Sequence, residues 1–333
     1  MEERADPSAK EGEIVVKVDT SGLCPSDVKI YKSGSSSVKP PVVLGHEFAG
    51  NIQAIGKGVR GLKEGDRVNI PADAYCGKCQ MCRSGKENLC TDPLAFGYQV
   101  DGAHADYIAI PRRFVDNGGV YKVPDGVSLE VMSMTEPVAC SYHDIVGLRV
   151  GPGKKLLVVG DGPMGLMHVL AAKAVGCEDI ALAGLIDWKL KLGEELGATT
   201  LIHSGSTTKL QDEVKKMAPD GVDATALTIV TSELVSQALS ATIKGGYVSV
   251  FAGVPKGAVT TNFEPNLIHY NEVSLIGSSG YTYPEFRKAF EIVLSHGPEL
   301  SKLVSHRFKL DEIMEAISVW EDKEKSLKIM ITR

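Results

Sequence analysis

The chain reads as an α/β protein of two domains, one of them built on a doubly wound, largely parallel sheet. Three observations lead there. Its 333 residues exceed what one core usually fills, since single cores rarely grow past ~250–300 residues. From about residue 12 to 135, short β runs are broken by Gly and Pro. From about Lys154 the texture changes to short apolar strands alternating with helical segments.

In chain order, Glu13–Asp19 alternates apolar and polar residues well enough for a strand, as does Asp66–Ile70. The Gly/Ser/Pro-rich stretch Ser33–Pro41 reads as a loop. Lys155–Val159 is a short, mostly apolar strand of the kind covered on both faces in a parallel sheet. A helix follows, then a strand at Asp179–Ala183, a helix around Lys189–Leu196 and a strand at Thr200–His203. The alternation continues through Val222–Val230, a helix near Leu234–Ile243, and strands Tyr247–Phe251 and Val273–Ile276. Helical signal returns at Tyr283–Leu294 and Leu310–Glu321. Strand–helix repetition of this kind implies right-handed crossovers in one sheet. There is no internal repeat of 20–50-residue period.

Composition narrows the function classes. A hydrophobic share of 43% and a charged share of 23% are ordinary for a globular protein. The net charge of -6 argues against a broad grip on nucleic acid or anionic lipid. No apolar run approaches the ~18–20 residues needed to cross a bilayer. The first residues carry neither a basic start nor an apolar stretch, so a cytoplasmic protein is expected. Four of the seven cysteines fall between Cys76 and Cys90, while Cys24, Cys140 and Cys177 are scattered. Clustering in a chain of this length points to a metal rather than to disulfides.

Gly160-Asp-Gly162-Pro163-Met164-Gly165 matches G-x-G-x-x-G directly after a buried-strand run and at the start of a helix, Leu166–Val175. In that context Gly160 allows the tight turn, Gly162 lets backbone approach a pyrophosphate, and Gly165 lets helix pack on strand. The anion would sit at the helix N-terminus, among free N–H groups. The acid that normally follows about 20 residues on, to accept from the adenosine ribose, is replaced by Gly184, and Asp187 comes three residues too late. No Arg follows Gly184; only Lys189 and Lys191 are near, so NAD and NADP both stay open.

Cys76-x2-Cys79-x2-Cys82-x7-Cys90 is the strongest single signal. Such spacing lets four thiolates converge on one tetrahedral Zn²⁺, and a full set of four leaves no open position, which makes the site structural. A second set is dispersed: Cys24, then His46-Glu47, then Glu136. A thiolate, a neutral imidazole and a carboxylate balance Zn²⁺ and leave a fourth place open. Taken singly, each has a blander reading as a buried thiol or a satisfied polar group, and spacing alone does not bring them together.

These motifs, in this order, resemble the zinc-containing medium-chain dehydrogenases, and within them the sorbitol (polyol) dehydrogenase-like branch. The residues that carry the resemblance are Gly22-Leu-Cys24-Pro-Ser26-Asp27, Leu44-Gly-His46-Glu47-Phe-Ala-Gly50, the four-cysteine lobe, Thr135–His143 and Gly160–Gly165, so it spans essentially the whole chain. The resemblance implies a GroES-like, mostly β catalytic domain at 1–137 and 279–333, with a zinc lobe at about 73–92. A Rossmann cofactor domain at 138–278 is inserted between the two parts. It implies that Cys24 and His46 ligate a catalytic zinc with Glu136, and that Glu47 is an alternating or water-bridged ligand. Asp27 would orient His46, and Ser26 would begin a proton relay whose next position holds Lys29. The family pattern also has a strand ahead of the segment corresponding to Glu2–Arg4. It has an aromatic where this chain has His104, which could line the substrate cleft but reads more plainly as a surface-loop residue. His168, on the helix after the glycine turn, reads as a packing residue.

The implied activity is hydride transfer between a secondary alcohol, of the polyol or sugar-alcohol class, and NAD(P), with two zinc ions per chain and a homodimer or homotetramer as the assembly. A threonine or simple alcohol dehydrogenase on the same scaffold is the alternative within enzymes; Glu136 in place of a cysteine argues against the simple alcohol form. A nucleotide-binding protein that has lost its chemistry is the alternative outside them, and the retention of Cys24, Ser26, Asp27, His46 and Glu136 counts against it.

Overall fold

The computed structural model describes residues 2–38, 40–204, 209–254 and 263–333. The chain divides into two compact units, Met1–Pro137 with Tyr281–Arg333, and Val138–Gly280. Lys39, in the loop expected at Ser33–Pro41, lies outside the described residues.

The first unit is organised by the strand Ile14–Gly22. Lys17 and Asp19 are exposed, while Ile14, Val16 and Val18 point into a core with Phe48, Ile52, Val68, Ile70, Phe96 and Phe114. Phe96 stacks on Phe114 at 4.3 Å between ring centres and meets Phe48 edge-on at 5.4 Å. Burying each such side chain stabilises by about 1.5–3 kcal/mol. In the seven-stranded sheet the order is Val304–Lys309, Lys328–Thr332, Ile14–Gly22, Glu47–Ile55, Arg67–Asn69, Tyr121–Lys122, with Tyr107–Ile110 also on Ile14–Gly22. All pairings are antiparallel except that between Val304–Lys309 and Lys328–Thr332.

The central strand runs three residues past the Asp19 at which sequence patterning ends it. Thr20, Ser21 and Gly22 pair on one side with Ala49, Phe48 and Glu47 and on the other with Thr332, Ile331 and Met330. Pairing on both sides, rather than side-chain propensity, holds these residues in the strand. A register shift between Val18 and Thr20 marks the bend that leads into this end of the sheet. The C-terminal return adds a small cluster of Leu23, Val28, Ala316, Ile317, Ile329 and Ile331.

The second unit is a six-stranded parallel sheet in the order Thr200–His203, Asp179–Gly184, Lys155–Val159, Val222–Leu227, Thr242–Val250, Ser274–Gly277. Numbered along the unit this is 3-2-1-4-5-6, the doubly wound order of dinucleotide-binding folds. Its core gathers Leu157, Val159, Ala181, Ala183, Val222, Leu227, Val235, Leu239 and Val248. The helix expected near Leu234–Ile243 spans Ser232–Ala241, capped by Thr231, whose Oγ1 accepts from the Leu234 amide at 3.1 Å. The strand then starts at once, at Thr242 rather than Tyr247. The Thr242 hydroxyl lies 3.0 Å from that of Thr225 and donates to the Ala238 carbonyl at 2.8 Å, which ties the strand start to the helix just ended. Among the described residues no helix is long and apolar enough to cross a membrane.

Candidate metal centres and dinucleotide site

Cys24 closes the turn between the strand Ile14–Gly22 and the helix Pro25–Ser33. It is the N-cap of that helix, Pro25 suits its first position, and Asp27 at the third reaches back to accept from the Cys24 amide at 3.1 Å. The same carboxylate accepts from the Gly45 amide at 3.1 Å and faces His46 Nδ1 at 3.3 Å. Asp27 is 2% exposed. Burial opposes its charged form, but His46 and His104 outweigh it and hold the carboxyl well below the usual carboxylate range. The Ser26 hydroxyl donates to Cys24 Sγ at 3.1 Å.

Ligand atoms of Cys24, His46 and Glu47 all lie within 4.8 Å of one another, and His46 and Glu47 are buried. The carboxylate in this cluster is therefore Glu47. Glu136, at the start of the helix Thr135–Gly147, lies outside that circle but is buried close enough to feel His46, Glu47 and Lys328. Burial pushes its carboxyl up to about 7; His46 opposes the rise and Glu47 adds to it. Burial disfavours the His46 imidazolium, yet Asp27 and Cys24 raise its pKa well above the ordinary value. Burial also raises the Cys24 thiol. This donor set fits a divalent cation, which would displace protons from His46 and Cys24 and keep Glu136 ionised. Lys29 is exposed on the same helix and stands outside the cluster.

Three neighbours of this cluster were not singled out from the sequence as part of it. Lys328, on the C-terminal strand and 4% exposed, forms an ion pair with Glu47. Gly22 makes room for both: a Cβ there would stand 2.1 Å from Glu47 Oε2 and 2.9 Å from Lys328 Nζ. Tyr98 lies 6.3 Å from His46, ring centre to ring centre. His104 departs from the expected surface loop. Its side chain is 4% exposed, with Nδ1 3.1 Å from the Ser21 hydroxyl and Nε2 3.4 Å from Asp27. The reason is backbone pairing: the amides of Gly102, Ala103 and His104 donate to the carbonyls of Val43, Gly45 and Leu44. That pairing draws the segment against His46. The only sequence signal was the departure from the family's aromatic at this position.

In the cysteine lobe, Cys76, Cys79, Cys82 and Cys90 bring their sulfurs within 4.8 Å of one another. The separations are 3.9 Å for Cys76–Cys82, 3.4 Å for Cys79–Cys82 and 4.0 Å for Cys79–Cys90. A tetrahedron with zinc–sulfur bonds of ~2.3 Å has edges of about 3.8 Å, so the cage has the size of a zinc site. Backbone amides point at its sulfurs: Cys82 to Cys79, Cys79 to Cys76, Cys76 and Asp92 to Cys90. The Lys78 and Cys79 amides hold the Cys76 thiol below its ordinary value and those of Cys82 and Thr91 bring Cys79 down to about 5, while burial and the neighbouring Cys79 push Cys82 up to about 12.

The glycine turn sits at the end of the first strand of the second unit. Gly160 has φ +119° and donates its amide to Ala183 at 2.8 Å. Gly162 caps the helix Pro163–Ala174 with Pro163 at its first position, and a Cβ on Gly162 would meet nothing within 4 Å, which leaves backbone open to a ligand. Gly165 packs against the turn so closely that a Cβ would lie 1.8 Å from the Gly160 carbonyl oxygen. The Met164 carbonyl is held by His168 Nδ1 at 2.7 Å, and His168 Nε2 lies 3.1 Å from Asp144, with both side chains fully buried. Gly184 ends the neighbouring strand, and the carboxylate of Asp161 fills the space beside it.

Comparison with known proteins matches this geometry. The model of the alcohol dehydrogenase GroES-like domain covers residues 10–125, and that of the zinc-binding dehydrogenase residues 163–295. Sorbitol dehydrogenase of Bacillus subtilis (strain 168) is 31% identical over 333 residues, covering 98% of this chain and 91% of that one. A structure described as a short chain alcohol dehydrogenase from E. coli CFT073, complexed with NADH, is similar with a TM-score of 0.89 and 26% identity, covering 99% of this chain and 94% of that one. A protein of Sinorhizobium meliloti 1021 bound to NADP is similar with a TM-score of 0.88 and 27% identity, covering 98% and 94%. Both domain models fall in order along a chain that also aligns almost end to end with a sorbitol dehydrogenase. The chain therefore belongs to the zinc-dependent medium-chain dehydrogenases of the polyol dehydrogenase type.

Proposed function

We propose that this chain oxidises a secondary alcohol of the polyol or sugar-alcohol class to the ketone, with NAD or NADP taking the hydride, and catalyses the reverse reduction. The observation that carries the reading is the convergence of Cys24, His46 and Glu47 ligand atoms within 4.8 Å, three donors that leave one side of a tetrahedron open. Cys24 and His46 would hold a catalytic zinc with a carboxylate from Glu47 or Glu136, and the four-cysteine lobe would hold a structural one. Bound there, the catalytic ion would supply the Lewis acidity that lowers the pKa of an alcohol oxygen.

Asp27 fixes the orientation of His46 through the 3.3 Å approach to Nδ1. Ser26 accepts the proton of the substrate hydroxyl, and Lys29 stands on the exposed turn beyond it as the outward end of the relay. The alcohol carbon loses hydride and its oxygen loses a proton, so each turnover yields one ketone, one reduced nicotinamide and one proton. Gly160, Gly162, Pro163, Met164 and Gly165 bind the pyrophosphate, and the strand end at Gly184 meets the adenosine ribose. Residues 1–137 with 279–333 form the catalytic domain, and 138–278 the cofactor domain. The enzyme works in the cytoplasm as a homodimer or homotetramer; its four closely spaced, unpaired cysteines support a reducing compartment.

The test follows reduced-nicotinamide absorbance across a panel of polyols, simple alcohols and threonine with each cofactor. Turnover with a polyol is expected, and its loss after chelation or in His46→Ala while dinucleotide binding persists. Activity that survives both treatments removes the metal from the reaction; turnover of threonine alone moves the substrate class.

A further inference from the structure

The recognition pattern for the adenosine ribose lacks its acid, because Gly184 ends the second strand of the sheet where a carboxylate normally stands. A carboxylate is nevertheless there. It comes from Asp161, the residue between the first two glycines of the turn. The Gly160 amide donates to Ala183, which sets residue 161 alongside residue 184. Asp161 Oδ2 then accepts from the amides of Leu185 and Ile186, each at 2.7 Å. Gly184 is what admits it: a Cβ at 184 would stand 2.5 Å from Asp161 Cβ and 2.6 Å from its Oδ2. Glycine at one position and aspartate at the other thus form one device, in which the acid is supplied from the neighbouring loop rather than from the strand.

We propose that Asp161 takes over ribose recognition and makes the chain select NAD over NADP; the proposal rests on the dinucleotide-site reading above. Both amide bonds use Oδ2, so Oδ1 keeps its lone pairs for a ribose hydroxyl. A 2′-phosphate brought to the same place meets like charge. Among the described residues, no basic side chain pairs with Asp161 to offset that repulsion. No arginine occurs between Gly184 and Ser204. Lys189 is 3% exposed with its ammonium 5.4 Å from the centre of the Trp188 ring, and Lys191 is exposed on the helix beyond. Asp187, at the first position of that helix, adds a second negative charge, and His203 Nε2 lies 3.4 Å from its carboxylate.

The experiment titrates NADH and NADPH separately into the zinc-replete protein and into Asp161→Asn, with binding read by calorimetry and folding by thermal melting. Asparagine keeps an oxygen for the Leu185 and Ile186 amides and removes the charge. The expected result is a preference for NADH of about tenfold or more in the wild type, narrowing to within about threefold in the variant. The wild-type ratio requires no variant, so it stands even if Asp161→Asn folds poorly. Equal affinities in the wild type, or a ratio that Asp161→Asn leaves unchanged, overturn the proposal. Binding of neither dinucleotide overturns the site reading itself, an outcome distinct from binding without discrimination.

Discussion

Lys328 pairs with Glu47 although 281 positions separate them in the chain. The pair is buried at the end of the sheet where Gly22 lies between Glu47 and Met330 in register. Removing one member of a buried pair strands the other charge, which typically costs about 3–5 kcal/mol. Lys328→Met is expected to destabilise the zinc-free protein by about 3 kcal/mol, read from urea unfolding, because Glu47 then loses the ammonium that balances its buried charge. A loss below about 1 kcal/mol would place the pair among those that contribute little.

The cysteine lobe makes a stoichiometric prediction. Cys90→Ser removes one corner of the cage and two amide–sulfur contacts, those from Cys76 and Asp92. Metal analysis is expected to fall from two zinc ions per chain to one, with a lower melting temperature and retained NADH binding. Full retention of both ions in the variant would contradict the lobe's assignment as a zinc site.

Packing at Gly165 of the glycine turn has no slack. At Gly165 an added Cβ meets backbone, the Gly160 carbonyl at 1.8 Å, rather than the end of a flexible side chain. Gly165→Ala is expected to cost about 1–3 kcal/mol through forced separation of helix and strand. It should also weaken NADH binding at least tenfold. A melt and a fluorescence titration that both match the wild type would show that the turn can yield.

Asp223 gives a dependence on acid. Partial burial works against its charged form, but the Lys154 ammonium at 2.8 Å and the Lys155 amide at 2.9 Å prevail and hold its carboxyl below the ordinary 3.8. The folded state therefore binds this proton more weakly than the unfolded chain. The stabilisation is complete above the ordinary value and is lost as pH falls through the lower folded one. Asp223→Asn is expected to reduce stability near neutral pH by about 1 kcal/mol and to show a shallower loss below about pH 4. Parallel acid-limb curves for the two proteins would exclude the linkage.

Much of this was legible in the residues. The four-cysteine spacing and the glycine turn announce themselves because their partners are close in sequence, so local geometry alone brings them together. The strand–helix alternation after Lys154 is legible for the same reason: buried parallel strands are short apolar runs, and each is followed by its own helix. Gly184 was legible as a missing acid, yet the loop aspartate that fills its place was not. Nothing in the order of residues says that Asp161 turns towards the next strand rather than outward.

What the sequence by itself determined was the set of local elements and the two chemistries they can hold, since capping, turn and ligand spacings act over a few residues. Tertiary structure alone decided that Glu47 comes within 4.8 Å of the Cys24 and His46 ligand atoms, that Lys328 sits against Glu47, and that His104 is drawn in against Asp27. Those choices come from strand register and backbone pairing between segments far apart in the chain. Such pairings depend on the packing of the whole sheet, and no short stretch of residues encodes them.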